Sequence, residues 1–223
     1  MLAIAGLGPG SVHLLTLACV LLLEASQVVM VESLVNRSVL NAPQSTCSIK
    51  YVGRGVAAAR APLFKVLCFG ARLAKANIRV VWAVNGDACL FNRRRLKRVF
   101  AKAVSAPWLA VSGVACAHAL AAADSLAVAG GDFSGLSLEC KPKLSRARGA
   151  LIVHMVASGF WRVADELMCA GAHSARALTV ARGVSLKSQA VGTLKLESAL
   201  CVVGLPSEGA PCLLALAPEA AQS

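Results

Sequence analysis

The sequence predicts an α/β chain of two domains: a five-stranded parallel sheet with helices on both faces over residues 1–112, and an α/β domain with a mixed sheet over residues 113–205. Residues 206–223 are expected to form a frayed tail, being Pro-, Gly- and Ser-containing and terminal. Three observations carry this. Short apolar runs alternate with helix-length stretches as far as Val111; beyond Gly113 the apolar runs become closely spaced; and 57% of the 223 residues are apolar, enough for two modest cores.

Leu2 to Ala5 is a short apolar run closed by a Gly/Pro turn, so it reads as a first strand. Leu14 to Ala25 has helical length, and Gln27 to Val31 is β-branched and short, giving strand, loop, helix, strand. The same alternation continues through Ser48 to Val52 (strand), Pro62 to Ala76 (helix), Ile78 to Val84 (strand), Phe91 to Val104 (helix) and Trp108 to Val111 (strand). Strands separated by helices pair in parallel. From Ala110 to Gly131 the chain is mostly Ala and Gly and reads as a loop and a buried helix. Leu136 to Cys140 and Leu151 to Met155 then read as strands and Phe160 to Cys169 as a helix. Leu178 to Ala181, Gln189 to Leu194 and Ala199 to Val203 follow as strands too close together for crossover helices, which implies antiparallel pairing.

Composition excludes several classes. The longest strongly apolar run, Leu14 to Leu23, is ten residues, about half a bilayer span. The first Lys or Arg is Arg37, so the basic start of a secretory signal is missing, and no membrane partner is expected. Nine Cys at wide spacing without a CxxC pair fit neither a disulfide framework nor a zinc site, and they read as small core residues in a reducing cytoplasm. His13, His118, His154 and His173 show no metal-ligand spacing, so no metal is expected.

The formal net charge of +12 points to an anionic partner. Between Ser33 and Ala123 a single carboxylate, Asp87, stands among fourteen Lys and Arg. The run Arg93-Arg94-Arg95-Leu96-Lys97-Arg98 opens a predicted helix, where cations oppose the macrodipole and so are not placed for stability. With one Tyr in the chain there is no aromatic interleaving of the kind that single-strand nucleic-acid binding uses, and capture of a carboxylate-rich substrate is the more useful reading.

Two loops lie where an open parallel sheet binds its ligands, outside the carboxyl ends of the strands. Gly6-Leu7-Gly8-Pro9-Gly10-Ser11 follows the first strand, and its glycines allow close backbone approach. It is open to two functional readings: a dinucleotide fingerprint with Glu32 on the ribose, or a loop against another nucleoside-like cofactor. Ser11 in place of the third glycine and the missing N–H of Pro9 weigh against the first. Asn85-Gly86-Asp87 follows the strand ending at Val84, and its lone carboxylate is placed to accept hydrogen bonds from a ribose or an ammonium group.

These segments, taken with Leu14-Leu15-Thr16-Leu17, Val28-Val29-Met30-Val31-Glu32-Ser33-Leu34-Val35 and Tyr51-Val52-Gly53-Arg54, resemble the tetrapyrrole methylases. Gly113-Val114-Ala115-Cys116-Ala117, Gly149 to Met155, Gly171, Val191-Gly192-Thr193-Leu194 and Ala199 to Gly204 continue the resemblance in order over nearly the whole chain. It implies the two-domain tetrapyrrole methylase architecture, a homodimer, S-adenosylmethionine as methyl donor bound between the domains, and no nucleic-acid partner. The implied activity is methylation of uroporphyrinogen III to precorrin-2, in cobalamin or sirohaem synthesis. A carboxylate-rich tetrapyrrole would explain the basic balance. Position by position, the resemblance puts the cofactor against Pro9, Asn85, Gly86, Asp87, Leu90, Ala115, Cys116, Met155 and, if one residue is deleted before it, Gly183. It puts Glu32 where the family has a proton-accepting Asp, and Arg54 where it has a proton-donating Lys.

The chain departs from the family pattern at Asn85 for Gly, Ala88 for Pro, Arg54 for Lys, and Ala129-Gly130-Gly131 for Thr-His-Arg. Those departures keep two alternatives in view: a sibling methylase acting on a later corrinoid precursor, and a non-catalytic tetrapyrrole-binding homologue. A nicotinamide-dependent enzyme is the more distant option.

Overall fold

The computed structural model describes residues 1–41, 47–52, 63–90, 107–123, 133–137, 150–154, 160–200 and 212–216. The chain forms two compact units, Met1–Cys116 and Ala117–Ser223, each with its own five-stranded sheet.

In the first unit, strands β1 (Leu2–Gly6), β2 (Val28–Val31), β3 (Ser48–Tyr51), β4 (Val80–Val84) and β5 (Trp108–Val111) lie in the order β3-β2-β4-β1-β5, every pairing parallel. Helix α1 (Leu17–Ala25) connects β1 to β2 and α2 (Leu63–Lys75) lies between β3 and β4. Side-chain alternation divides the core. Leu2, Ile4, Met30, Val80, Trp82 and Val84 pack with Val66, Leu67 and Ala74 of α2 on one face. Ala3, Ala5, Val29, Val31, Val81 and Ala83 pack with Cys19 and Leu23 of α1 on the other. Because both faces are covered, the central strands are continuously apolar instead of alternating, and β1 and β4 are buried along their whole length. The helix expected over Phe91 to Val104 lies outside the described residues.

Helix α3 (Cys116–Ala123) follows β5, as expected for the Ala-rich stretch. The second sheet runs β6-β7-β10-β8-β9, with β6 (Phe133–Ser137), β7 (Ala150–His154), β8 (Ala177–Arg182), β9 (Ala190–Lys195) and β10 (Cys212–Leu216). Only β6 and β7 pair in parallel; the rest are antiparallel, which makes the sheet mixed as predicted. Helix α4 (Phe160–Cys169) lays Val163, Ala164 and Leu167 onto Leu151, Val153, Leu178, Val180, Leu214 and Leu216.

Two expectations are corrected here. Cys212–Leu216 is no frayed tail but the central strand of the second sheet, with β7 and β8 on its two sides. It is a five-residue apolar run whose Leu213 to Leu216 are all buried, and burial outweighs terminal position. Glu197–Leu200 is a 3-10 turn and not the start of a strand over Ala199 to Val203; Leu196 N–H donates to Arg176 O and Ala199 N–H to Leu196 O, which curls the chain. Residues 201–203 are outside the described set. Strand β6 begins three residues before the expected Leu136. Among the described residues, no helix is long and apolar enough to cross a membrane, and no three His, Cys, Asp or Glu side chains cluster as metal ligands.

Candidate functional site

Strands β4, β1 and β5 are neighbours, and each runs into a glycine-bearing loop at the same carboxyl edge. The β1 and β4 loops are stitched together by an isolated antiparallel bridge: Gly8 N–H donates to Gly86 O at 3.1 Å and Gly86 N–H to Gly8 O at 2.8 Å. Both glycines have left-handed backbones, φ 71° and 69°, a conformation that side chains disfavour. A Cβ on Gly6 would lie 2.6 Å from Gly86 O and 2.7 Å from the amide nitrogens of Ala88 and Gly113. A Cβ on Gly113 would collide with the carbonyl oxygens of Gly6 and Gly86. Three loops therefore meet as bare backbone, packed on one another too closely to admit a side chain at Gly6 or Gly113, at the edge where open parallel sheets bind their ligands.

Asp87 locks this junction. Its Oδ1 accepts from Cys89 N–H at 2.7 Å and its Oδ2 from Gly113 N–H at 3.1 Å, so one carboxylate ties the β4 loop to the β5 loop. Thr16 works from the other side: its Oγ1 accepts from Cys19 N–H at the start of α1 and donates to Ser112 O at 3.4 Å. Beneath the loops the Cys19 thiol donates to Gly6 O at 3.2 Å, and burial pushes that thiol up, keeping it protonated. Asn85 Nδ2 donates to Cys116 Sγ at 3.7 Å, joining the β4 loop to the first residue of α3, and burial raises the Cys116 thiol as well.

The tip of the β1 loop is held from the segment that follows β2. Asn36 Nδ2 donates to Gly10 O at 3.1 Å, Asn36 Oδ1 accepts from Ser38 N–H, and Ser38 Oγ also donates to Gly10 O at 3.5 Å. Neither Asn36 nor Ser38 stands out in the sequence. The only signal was their polar character in the segment after a buried strand, because their partner is 26 and 28 residues away.

Pro9, Asn85, Gly86, Asp87, Ala115 and Cys116 thus belong to one edge of the first unit. Pro9 and Ala115 are buried, Asn85, Asp87 and Cys116 half-buried, and Leu90 is exposed. Glu32 follows β2 at the same edge, half-buried; its N–H donates to Ala83 O and its carbonyl accepts from Val35 N–H, both at 3.1 Å. Gly183 begins the β8–β9 turn of the second unit with φ 56°. Arg54, Met155, the basic run Arg93 to Arg98 and Ala129-Gly130-Gly131 lie outside the described residues.

A family model for the tetrapyrrole (corrin/porphyrin) methylases matches residues 1–200. A sequence search of curated proteins finds no match. Among solved structures, the uroporphyrin-III C-methyltransferase from Thermus thermophilus complexed with S-adenosylhomocysteine superposes with a TM-score of 0.77 at 23% identity, over 96% of either chain. A cobalt precorrin-4 methyltransferase superposes equally well, 0.77 at 15% identity over 97% of this chain and 94% of that one. A diphthine synthase reaches 0.65 at 14% identity over 97% and 90%. These likenesses establish a shared fold, and the match over residues 1–200 establishes the kinship: the chain belongs to the tetrapyrrole (corrin/porphyrin) methylases.

Proposed function

We propose that the chain transfers methyl groups from S-adenosylmethionine to uroporphyrinogen III, giving precorrin-2, as a cytoplasmic homodimer. The observation that carries the reading is the joining of the glycine-bearing loops after β1, β4 and β5 into one carboxyl edge of a parallel sheet, the place where such sheets take nucleoside-bearing ligands. Pro9, Asn85, Gly86, Asp87, Leu90, Ala115 and Cys116 would hold the donor there, and the family resemblance adds Met155 and Gly183 to the set. When bound, S-adenosylmethionine supplies an electrophilic methyl group on sulfur. The protein's part is placement, since aligning a nucleophilic ring carbon with that methyl supplies much of the acceleration. Glu32 takes up the proton that the methylated carbon must lose, and Arg54 binds a substrate carboxylate or steadies developing negative charge. The net charge of +12 favours capture of a carboxylate-rich macrocycle.

A sibling activity on a later corrinoid precursor is the second reading, supported by the equal fold likeness to the cobalt precorrin-4 methyltransferase. Incubation of the purified protein with uroporphyrinogen III and isotopically labelled S-adenosylmethionine, followed by mass analysis, separates the two. Labelled precorrin-2 is the expected product. No transfer to uroporphyrinogen III, with transfer to a corrinoid precursor, overturns the first reading in favour of the second.

A further inference from the structure

The segment after β2 spans the carboxyl edge of the first sheet. At one end Asn36 reaches back to Gly10, in the loop after β1. The next residue, Arg37, sets its guanidinium 5.4 Å from the ring centroid of Tyr51, the last residue of β3. Strands β2 and β3 are paired with Val31 opposite Tyr51, so Glu32, one residue beyond Val31, and the Arg37–Tyr51 stack share one end of these two strands. Arg37 is thereby fixed twice, by its neighbour's bond to the glycine loop and by its own stack on an aromatic ring.

Both members of the stack face water: Arg37 is exposed, and Tyr51 is 58% exposed although it is the chain's only tyrosine. Among the described residues Arg37 has no carboxylate partner. Asp87, the nearest acid in sequence on its C-terminal side, already accepts two backbone amides. A guanidinium stacked on a ring keeps the outward edge of its fork free for a planar, bidentate acceptor, and the ring cuts the side-chain entropy lost when that acceptor binds. Tyr51 also offers an apolar face beside the charge, suited to the flank of a flat macrocycle.

We infer that Arg37, oriented by Tyr51, recognises a carboxylate of the macrocyclic substrate at this edge, and so helps to set preference for carboxylate-rich tetrapyrroles. The inference rests on the methylase reading and deepens it by assigning a specificity residue. The role assigned to Arg37 is in substrate binding, not in the chemical step.

The test is titration of wild-type protein, Arg37→Gln, Arg37→Lys and Tyr51→Leu with uroporphyrin III, the oxidised and coloured form of the same carboxylate-rich macrocycle, at low and high salt. Binding of S-adenosylhomocysteine and steady-state kinetics with uroporphyrinogen III are measured on the same preparations. Arg37→Gln should weaken the macrocycle about tenfold at low salt and raise KM with kcat unchanged, with a smaller effect at high salt. S-adenosylhomocysteine affinity should stay at the wild-type value. Arg37→Lys should recover only part of the loss, because an ammonium cannot reproduce the stacked fork, and Tyr51→Leu should show a loss of the same sign. Unchanged macrocycle affinity in Arg37→Gln, with the wild type active, overturns the Arg37 assignment alone. An equal loss of S-adenosylhomocysteine affinity also overturns it, placing Arg37 in loop support instead. Wild-type protein that binds S-adenosylhomocysteine but neither binds uroporphyrin III nor methylates uroporphyrinogen III overturns the substrate reading and the Arg37 assignment together.

Discussion

The Oδ2 of Asp87 accepts the backbone amide of Gly113 at 3.1 Å, so the one acid of a strongly basic stretch bridges two loops that are 26 residues apart in sequence. Its other oxygen accepts from Cys89. A carboxylate that satisfies two part-buried amides is part of the scaffold, whatever else it touches. Asp87→Ala should therefore lower stability by about 2 to 4 kcal/mol, since each orphaned amide costs about 1 to 2 kcal/mol, and Asp87→Asn should lose less because one acceptor remains. Urea unfolding measures this. A wild-type midpoint for Asp87→Ala would remove Asp87 from the scaffold and leave it to ligand binding alone.

Gly113 predicts a second, sharper effect. A Cβ there meets two carbonyl oxygens of backbone that is itself locked by hydrogen bonds, so no side chain can swing aside. Gly113→Ala should cost more than about 3 kcal/mol, as overpacking against rigid backbone does, or prevent folding of the first unit. Gly192 in β9 is the internal control: nothing lies within 4 Å of its added Cβ, and Gly192→Ala should be neutral or stabilising by about 0.5 kcal/mol. Thermal melts of the pair check this directly, and equal melting temperatures would refute the crowding argument.

S-adenosylhomocysteine should raise the melting temperature, because a ligand that binds only the folded chain stabilises it by mass action, by about 3 kcal/mol at a hundredfold excess over Kd. NADH should not. The opposite pattern would return the Gly6 to Ser11 loop to a dinucleotide reading.

What could be read in the sequence was whatever depends on neighbours in the chain. The first five strands and the glycine loop are local patterns, and the apolar runs of β1, β2 and β4 follow directly from a sheet covered on both faces. What escaped were relations across long separations. Asp87 stood out as a lone acid, but its tie to Gly113 is a backbone contact without a sequence signature. Asn36 and Cys19 hold carbonyls of Gly10 and Gly6 from 26 and 13 residues away. Cys212–Leu216 was different: its apolar run was visible, and the Pro, Gly and Ser before it obscured it by looking like the start of a tail.

His154 predicts a pH dependence. It lies buried in β7, and burial lowers its imidazole from the ordinary 6.5 to about 4. Between those values the unfolded chain binds a proton that the folded chain does not, so stability falls as pH drops from 6.5 and the loss levels off below about 4. The full loss is on the order of 3 kcal/mol, from about 1.4 kcal/mol per unit of pKa difference. Denaturation as a function of pH should show this slope in the wild type and a flatter one in His154→Leu, whatever the variant's absolute stability. Identical slopes would assign the acid sensitivity to other groups.

Glu32 carries the prediction closest to the chemistry. Its backbone is tied on both sides, to Ala83 O of β4 and by the turn to Val35, so the side chain leaves the sheet edge from a fixed point. The residue is half-buried. Resemblance places a proton-accepting Asp at this position, and Glu keeps that chemistry with one more methylene of reach. A positioned general base contributes about a hundredfold or more, so Glu32→Gln, which keeps size and loses basicity, should lower kcat by at least about that factor. S-adenosylhomocysteine affinity should hardly change, because the amide still fills the same space. Arg54→Lys, which restores the residue the family carries, should keep or improve turnover, since Lys can donate a proton that Arg cannot. Single-turnover kinetics on uroporphyrinogen III with each variant decide the matter: a Glu32→Gln protein that reacts at the wild-type rate would move the base to another residue.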